Sequence, residues 1–279
     1  MMNSRPRIIA GITFFYVFCL AAALISTFPL LWSVITSIRP KSETFMFPPS
    51  IIPSKIIFTS YREIWELAPF ARFFLNTLLV VAFAVAGQVG FSSMAAYAFA
   101  RMHFPGRDIL FLTYLGSLMI PPVVIIIPLF IMMKELHWIN TYNALIAPYF
   151  FGNAFGTFLL RQFFLTLPSS LEDAAIIDGC GHFRIYSTIV VPNALSGFTA
   201  LIVITFVTSW NNFLWPLIIT NTESMKLLSV AIATDFQSVN NVQWTNVMAA
   251  STLSILPLIV LFLVAQRYFI ESIQLSGIK

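Results

Sequence analysis

Charge is what this sequence has least of. Asp, Glu, Lys and Arg make up 9% of its 279 residues, against about 25% in an ordinary soluble domain. Apolar residues make up 58%, 29 positions are Phe, and mean hydropathy is +0.87. Such a chain cannot cover a water-facing surface with polar groups, and it is too apolar and aromatic to stay disordered. A lipid bilayer is its natural solvent. Cysteine is scarce too. Cys19 sits in an apolar run and Cys180 in a polar loop, which excludes a disulfide framework and offers no metal-binding spacing. The formal charge is +4 with no basic cluster, so nucleic acid is not an expected partner.

Several motifs are missing. No G-x-x-x-x-G-K-[ST] phosphate loop occurs. His103, His137 and His182 are far apart, none belongs to H-E-x-x-H, and there is no G-x-S-x-G elbow. The expectation is therefore no catalytic residue, no metal site and no resident cofactor. If the chain drives active transport, ATP or another energy source is handled by a partner.

A spanning helix needs about 20 mostly apolar residues. Six candidate spans follow: 8–36, 73–100, 109–133, 144–160, 198–219 and 247–266. The fold class expected is all-α integral membrane. None of the six contains Asp, Glu, Lys, Arg or His, which argues against a proton-coupled carrier. It leaves open sodium sites built from carbonyls and hydroxyls, a passive channel, or a membrane-bound enzyme. Arg5 and Arg7 precede the first span, but its apolar run outlasts the 7–15 residues of a signal-peptide core. An uncleaved anchor is expected.

The connections are uneven. The segment 37–72 is long, 101–108 and 134–143 are short, 161–197 is the longest near the middle, and 221–246 is polar. The division expected is a first helix with its outer loop over 1–72, a five-helix transmembrane domain over 73–269 containing a loop at 166–197, and a short tail at 270–279. Six spans place both termini on one side. With cytoplasmic termini, Arg5, Arg7, Arg101, Arg107, Arg161, Arg184, Arg267 and Lys279 lie inside; Arg39, Lys41, Lys55, Arg62, Arg72, Lys134 and Lys226 lie outside. Eight against seven does not orient the chain by the positive-inside rule.

The loop after the fourth span reads Leu167-Pro168-Ser169-Ser170-Leu171-Glu172-Asp173-Ala174-Ala175-Ile176-Ile177-Asp178-Gly179. Ser169 with Glu172 three residues on forms a capping box, so a helix starts here. Leu171, Ala175 and Asp178 share one face, flanked by Ala174 and Ile177. Gly179 suits a left-handed helix end. A second helix follows at 182–191, with Phe183, Tyr186, Ile189 and Val190 on one side, and Pro192 ends it. So ordered and apolar a loop either docks on a partner protein or lies on the lipid interface. The interfacial reading favours Lys and Arg on the polar face, where only Arg184 is basic.

This loop resembles the cytoplasmic loop of binding-protein-dependent ABC importer permeases, patterned E-A-A-x3-G-x9-I-x-L-P. Asp173-Ala174-Ala175 holds the triplet, Gly179 follows after three intervening residues, Ile189 after nine more, and Val191-Pro192 closes it. Asp173 stands where the pattern has Glu, with Glu172 just before it, and Val191 replaces Leu. Met119-Ile120-Pro121-Pro122, Asn140-Thr141-Tyr142, Phe158-Leu159-Leu160-Arg161-Gln162-Phe163-Phe164, Trp210-Asn211-Asn212-Phe213-Leu214-Trp215-Pro216-Leu217 and Gln266-Arg267-Tyr268-Phe269 are similar to the maltose-type, carbohydrate-importing branch. The resemblance covers roughly residues 73–279. It implies an inner-membrane subunit with the type I importer fold, cytoplasmic termini and a cytoplasmic loop. The implied partners are a second homologous permease, two ATP-binding subunits, an extracytoplasmic solute-binding protein and membrane lipid. It implies a coupling role for Glu172, Asp173, Ala174, Ala175, Asp178, Gly179, Arg184, Ile189 and Pro192. The solute expected is a carbohydrate or polyol, with a polyol phosphate as the alternative.

Trp210, Asn211, Asn212 and Trp215 combine aromatic faces with amides, the chemistry that grips sugars, and are candidates to line a translocation path. An interfacial aromatic belt is the competing reading. Tyr149, Phe150, Phe151 and Asn153 form a second such cluster. Pro121, Pro122 and Pro128 interrupt the third span and mark a bend. Ala82, Ala86 and Gly90, like Gly152 and Gly156, recur every four residues and are expected to let helices approach closely.

Overall fold

A computed structural model describes the backbone of residues 5–236 and 243–276, with side chains described between residues 11 and 268 of these. Arg5, Arg7 and Lys279, counted above for orientation, fall outside the described side chains. No strand occurs among the described residues. Lipid offers backbone groups no hydrogen bonds, so apolar segments satisfy themselves as helices. Among the described residues, three helices are long and apolar enough to cross a membrane on their own, and up to five spans result if each of two bent pairs counts as one.

By contact density the chain divides into two compact units, Met1–Phe70 with Ile232–Leu256, and Ala71–Ala231 with Pro257–Lys279. The first unit is led by α1 (Arg5–Ser37), whose described apolar side chains are almost all exposed, as a lipid-facing helix requires. The expected outer loop is ordered. The Ile57 N–H donates to the Ile38 carbonyl at 2.7 Å, and the short helix α2 (Thr59–Leu67) follows. Arg39 is buried, lies 4.9 Å over the Trp32 ring and donates to the Ser50 carbonyl. Lys41 pairs with Glu63 at 2.6 Å, and Asn246 donates to the same carboxylate.

The second unit is threaded by α3 (Phe70–Arg101). The third expected span is broken. Helix α4 (Arg107–Gly116) and a 3-10 turn run to Met119, then α5 (Pro122–Glu135) departs at 96°. Pro121 precedes α5 and Pro122 takes its first turn, where a missing N–H costs nothing. The fourth expected span is two short helices, α6 (Tyr142–Phe150) and α7 (Ala154–Thr166). The break comes at Gly152, whose φ of +83° ends α6, and Asn153 then caps α7 by accepting from the Gly156 N–H at 2.7 Å.

Next come α8 (Ser170–Ile177), α9 (His182–Ile185), a π-helical turn at Tyr186–Val190 and α10 (Val191–Asn193). The chain then bends by 80° into α11 (Leu195–Trp210). The fifth expected span likewise breaks at 211–213 before α12 (Leu214–Ile219). The connection expected at 221–246 contains α13 (Leu228–Thr234), and α14 (Trp244–Ser276) carries the last span through most of the expected tail.

Two clusters of buried side chains fill the second unit. One joins Val89, Ala96 and Tyr97 of α3 to Leu160, Phe164, Ala175, Ile185, Val190 and Leu201. The other joins Val80 to Met133, Leu145, Trp215 and Ile219. Of the two small-residue stripes, Gly152 and Gly156 do meet a neighbour, the Ser92 side chain. The other stripe does not: Ala82 and Ala86 are exposed, and a Cβ on Gly90 would meet nothing. The close approach on α3 is at Gly87, where a Cβ would collide with the ring and carbonyl of Phe150. Spacing by four identified a face, but not the face that α6 covers.

Candidate functional site

Two sites emerge in the second unit, one on the α8–α10 segment and one at a cavity. Ser169 precedes α8, and its carbonyl accepts from the N–H groups of Glu172 and Asp173 at 2.9 and 3.0 Å. The capping box does not form, since the Ser169 side chain makes no cap bond. Glu172 turns instead to Arg101, with Nε to Oε1 at 2.9 Å and both side chains only 13% exposed. A buried guanidinium needs an anion more than a helix end needs a second cap. Arg101 also donates through Nη2 to the carbonyls of Phe164 and Leu167, at 2.5 and 2.7 Å. Helices end with such carbonyls unpaired. One side chain thus ties α3, the end of α7 and the start of α8.

Helix α8 ends in a Schellman turn. The Cys180 N–H reaches the Ala175 carbonyl at 2.9 Å, and the Gly179 N–H reaches Ile176 at 3.0 Å. Gly179 has φ +78°, a left-handed conformation that side chains disfavour. Ala175 and Cys180 pack together into the first cluster. The opposite side of the segment is open: Asp173, Ala174, Asp178 and Arg184 are exposed, as are Leu171, Ile176, Ile177 and Phe183.

The second helix keeps most of the expected face, with Val190 buried and Tyr186 and Ile189 packed on the first cluster, but it departs at Phe183. Ile185 and Val190 are buried while Phe183 is 74% exposed. The cause is the π turn, in which the Val191 N–H bonds the Tyr186 carbonyl five residues back. Residues five apart then share a face. Pro192 does not end the helix, which continues to Asn193. The wider turn precedes the proline and makes room for a residue without an N–H, and the Asn193 side chain donates to the Ile189 carbonyl at 2.7 Å. Tyr186 hydrogen-bonds Ser93 at 2.6 Å and packs on Tyr97, both on α3.

The second site is a cavity of about 460 Å³ lined by Gln88, residues of α5, Pro148, Tyr149, Gly152, Asn153, Asn212, Leu214 and Trp215. Asn212 donates to the Tyr149 hydroxyl at 2.8 Å. The buried Trp215 donates its indole N–H to the Ala144 carbonyl at 2.9 Å. Tyr149, Asn153, Asn212 and Trp215 are thus brought together. Trp210 and Asn211 are not among the lining residues: Trp210 is buried, stacked on Phe206 and edge-on to Phe74, and Asn211 donates to the Val207 carbonyl. Pro122 borders the cavity through the bend. Gln88 gave no signal in the sequence, because a lone amide in an apolar run matches no motif. No group of three or more His, Cys, Asp and Glu suited to a metal occurs among the described residues.

Residues 88–274 match the family model of the binding-protein-dependent transport system inner membrane component. The chain is 35% identical over 266 residues to the arabinooligosaccharides transport system permease protein of Halalkalibacterium halodurans, covering 92% of each. It is 34% identical over 268 residues to the sn-glycerol-3-phosphate transport system permease protein of Yersinia enterocolitica, covering 93% of the chain and 95% of the relative. In fold it is similar to a chain of a bacterial ABC transporter involved in alginate import, with a TM-score of 0.82 at 23% identity and coverage of 96% and 99%. A chain of an alginate ABC transporter in complex with its pentasaccharide-bound periplasmic protein gives a TM-score of 0.67 at 14% identity, covering 93% and 94%.

Proposed function

The chain belongs to the family of binding-protein-dependent transport system inner membrane components, and on that premise we propose that it carries a carbohydrate or related polyol across the inner membrane. It is a transporter subunit rather than an enzyme. It works with a second permease, two ATP-hydrolysing subunits and an extracytoplasmic binding protein that delivers the solute. ATP is bound by the partners, and this chain needs no cofactor of its own. Both termini and the α8–α10 segment face the cytoplasm.

One observation carries the coupling role. The α8 segment has a core-anchored inner side and an apolar outer side at Leu171, Ile176, Ile177 and Phe183, beside the exposed carboxylates Asp173 and Asp178. A rigid helix seated on an ATPase can pass on a rigid-body motion, and a loose loop cannot. Glu172 supports the segment from within, while Asp173 faces out.

The cavity supports the solute class. Gln88, Tyr149, Asn153 and Asn212 offer amides and a hydroxyl beside Trp215, and no basic side chain is among the lining residues. A neutral polyhydroxylated solute suits such walls better than a phosphate ester, which calls for Arg or Lys. The decisive experiment is purification with the partner subunits, followed by ATPase and uptake assays with binding protein and candidate solutes. ATP hydrolysis by the isolated chain, or uptake that follows an ion gradient without ATP, would refute the reading. Impermeant reagents should label a cysteine placed at 37–58 from outside intact cells, and should not reach one beside Arg184. The reverse pattern would overturn the orientation.

A further inference from the structure

The Arg101–Glu172 pair is unusual for its place. This chain has few charges, and it buries two of them at the junction of α3, α7 and α8. An ion pair hidden from water costs desolvation, so it contributes little net stability compared with apolar packing. Its value lies in fixing geometry. Arg101 is the last residue of α3. Its Nε faces Glu172 on the first turn of α8, and its Nη2 grips the two carbonyls at the end of α7. The ion pair reaches α8 and the two Nη2 hydrogen bonds hold the end of α7, so one planar guanidinium with a fixed fork constrains both elements from α3.

A second clasp lies two turns up the same helix. The Ser93 hydroxyl bonds the Tyr186 hydroxyl at 2.6 Å, at the start of the π turn that follows α9. The ring of Tyr97, one turn from Ser93, packs on Tyr186 with centroids 5.5 Å apart. One further step along α3, Ser92 contacts the backbone of Asn153, accepting its N–H at 3.2 Å, and Gln88 opens onto the cavity. The contacts of α3 with the α8 segment and with the cavity are therefore made along a single unbroken helix.

We propose that Arg101 is a positioning residue that locks α8 to α3 through Glu172, so that displacement of the docked segment moves α3, and with it Gln88 and the Asn153 wall of the cavity, as one body. The proposal rests on the importer reading and deepens it. It assigns the two adjacent carboxylates separate tasks: Glu172 holds the segment to its own chain, and Asp173 meets the partner.

The test uses the full complex with its second permease and ATPase subunits. Glu172→Gln keeps the side-chain shape and removes the charge. It should still co-purify with the ATPase, while solute moved per ATP hydrolysed falls roughly tenfold, within the span of measured site-to-site coupling. Asp173→Asn should instead weaken co-purification. A Glu172→Gln complex that transports like the unsubstituted one overturns the proposal, as does one that simply loses its ATPase. The second measurement needs no destabilising variant. Spin labels at the exposed positions Ser170 and His103 report the separation of α8 from the end of α3. The separation should be the same in the nucleotide-free and ATP-bound complexes. A change approaching one helical turn, about 5.4 Å, means the elements move separately and the clamp is wrong. If the unsubstituted chain fails to co-purify with any ATPase, the importer reading itself fails, a result distinct from either of these.

Discussion

Helix α8 and its turn close on themselves, whereas the cavity has no local origin. The turn at Gly179 uses bonds between residues three and five apart. The cavity takes Gln88 from α3, Pro122 from α5, Tyr149 from α6, Asn153 from the α6–α7 break and Asn212 from the α11–α12 break. The two regions therefore differ in what can damage them. The turn at Gly179 depends on its own few residues, although the seat of the segment on α3 does not. The cavity depends on how closely separate helices approach.

The sharpest way to break this comparison is Gly87→Val. A Cβ there meets the ring and the backbone carbonyl of Phe150, and a carbonyl cannot rotate aside. Overpacking costs about 1–3 kcal/mol or more. The thermal midpoint in detergent should drop, with loss of amide-exchange protection in α6. Protection of the Gly179 and Cys180 amides should persist. Equal loss in both places would mean that the segment is not locally closed.

Gly179→Val attacks the other side. An added Cβ meets no neighbouring atom, so the cost is conformational, roughly 1–2 kcal/mol for a side chain held left-handed. Solute binding should be retained, while ATPase co-purification or coupled uptake is lost. Asn153→Ala removes the cap that accepts from Gly156, at about 1 kcal/mol. It should raise the solute concentration needed for half-maximal uptake and leave ATPase binding intact.

The smallest effect lies outside both regions, in the first unit. Partial burial pushes the Glu63 carboxyl up, but hydrogen bonds from Lys41 and Asn246 and the Lys41 charge outweigh it, leaving Glu63 below its ordinary value of 4.5. A lowered carboxyl stabilises the fold fully above its unfolded value, and this support is lost as pH falls through the lowered value. The pair is partly exposed, so less than about 1 kcal/mol is at stake. Lys41→Met should flatten the acid limb of the stability curve below pH 4.5 and leave transport at neutral pH unchanged.

Much of the α8 segment was legible because its determinants are neighbours in sequence. Ser169, Gly179 and the apolar spacing specify a helix start, a left-handed stop and a second helix. What misled was competition from afar. Glu172 satisfies the capping pattern, yet Arg101, distant in sequence, takes its carboxylate. Pro192 reads as a stop, yet a π turn accommodates it, and Ile185 rather than Phe183 joins Val190 in the buried face. The cavity was half legible. Tyr149, Asn153, Asn212 and Trp215 stand out by type, but Trp210 and Asn211 share that type and point elsewhere. Gln88 carries no local mark.

The sequence alone determined the solvent, the helical class and the α8 turn, because hydropathy, chain length and glycine conformation act on residues close together. It also marked Pro121 and Pro122 as a bend, since a proline affects the turn in which it sits. Only the tertiary structure decided that the fourth and fifth apolar runs break rather than cross straight, that Gly87 and not Gly90 meets a neighbour, and that Glu172 faces inward. Those outcomes depend on which helix lies alongside, and on where a scarce buried charge finds its counter-ion.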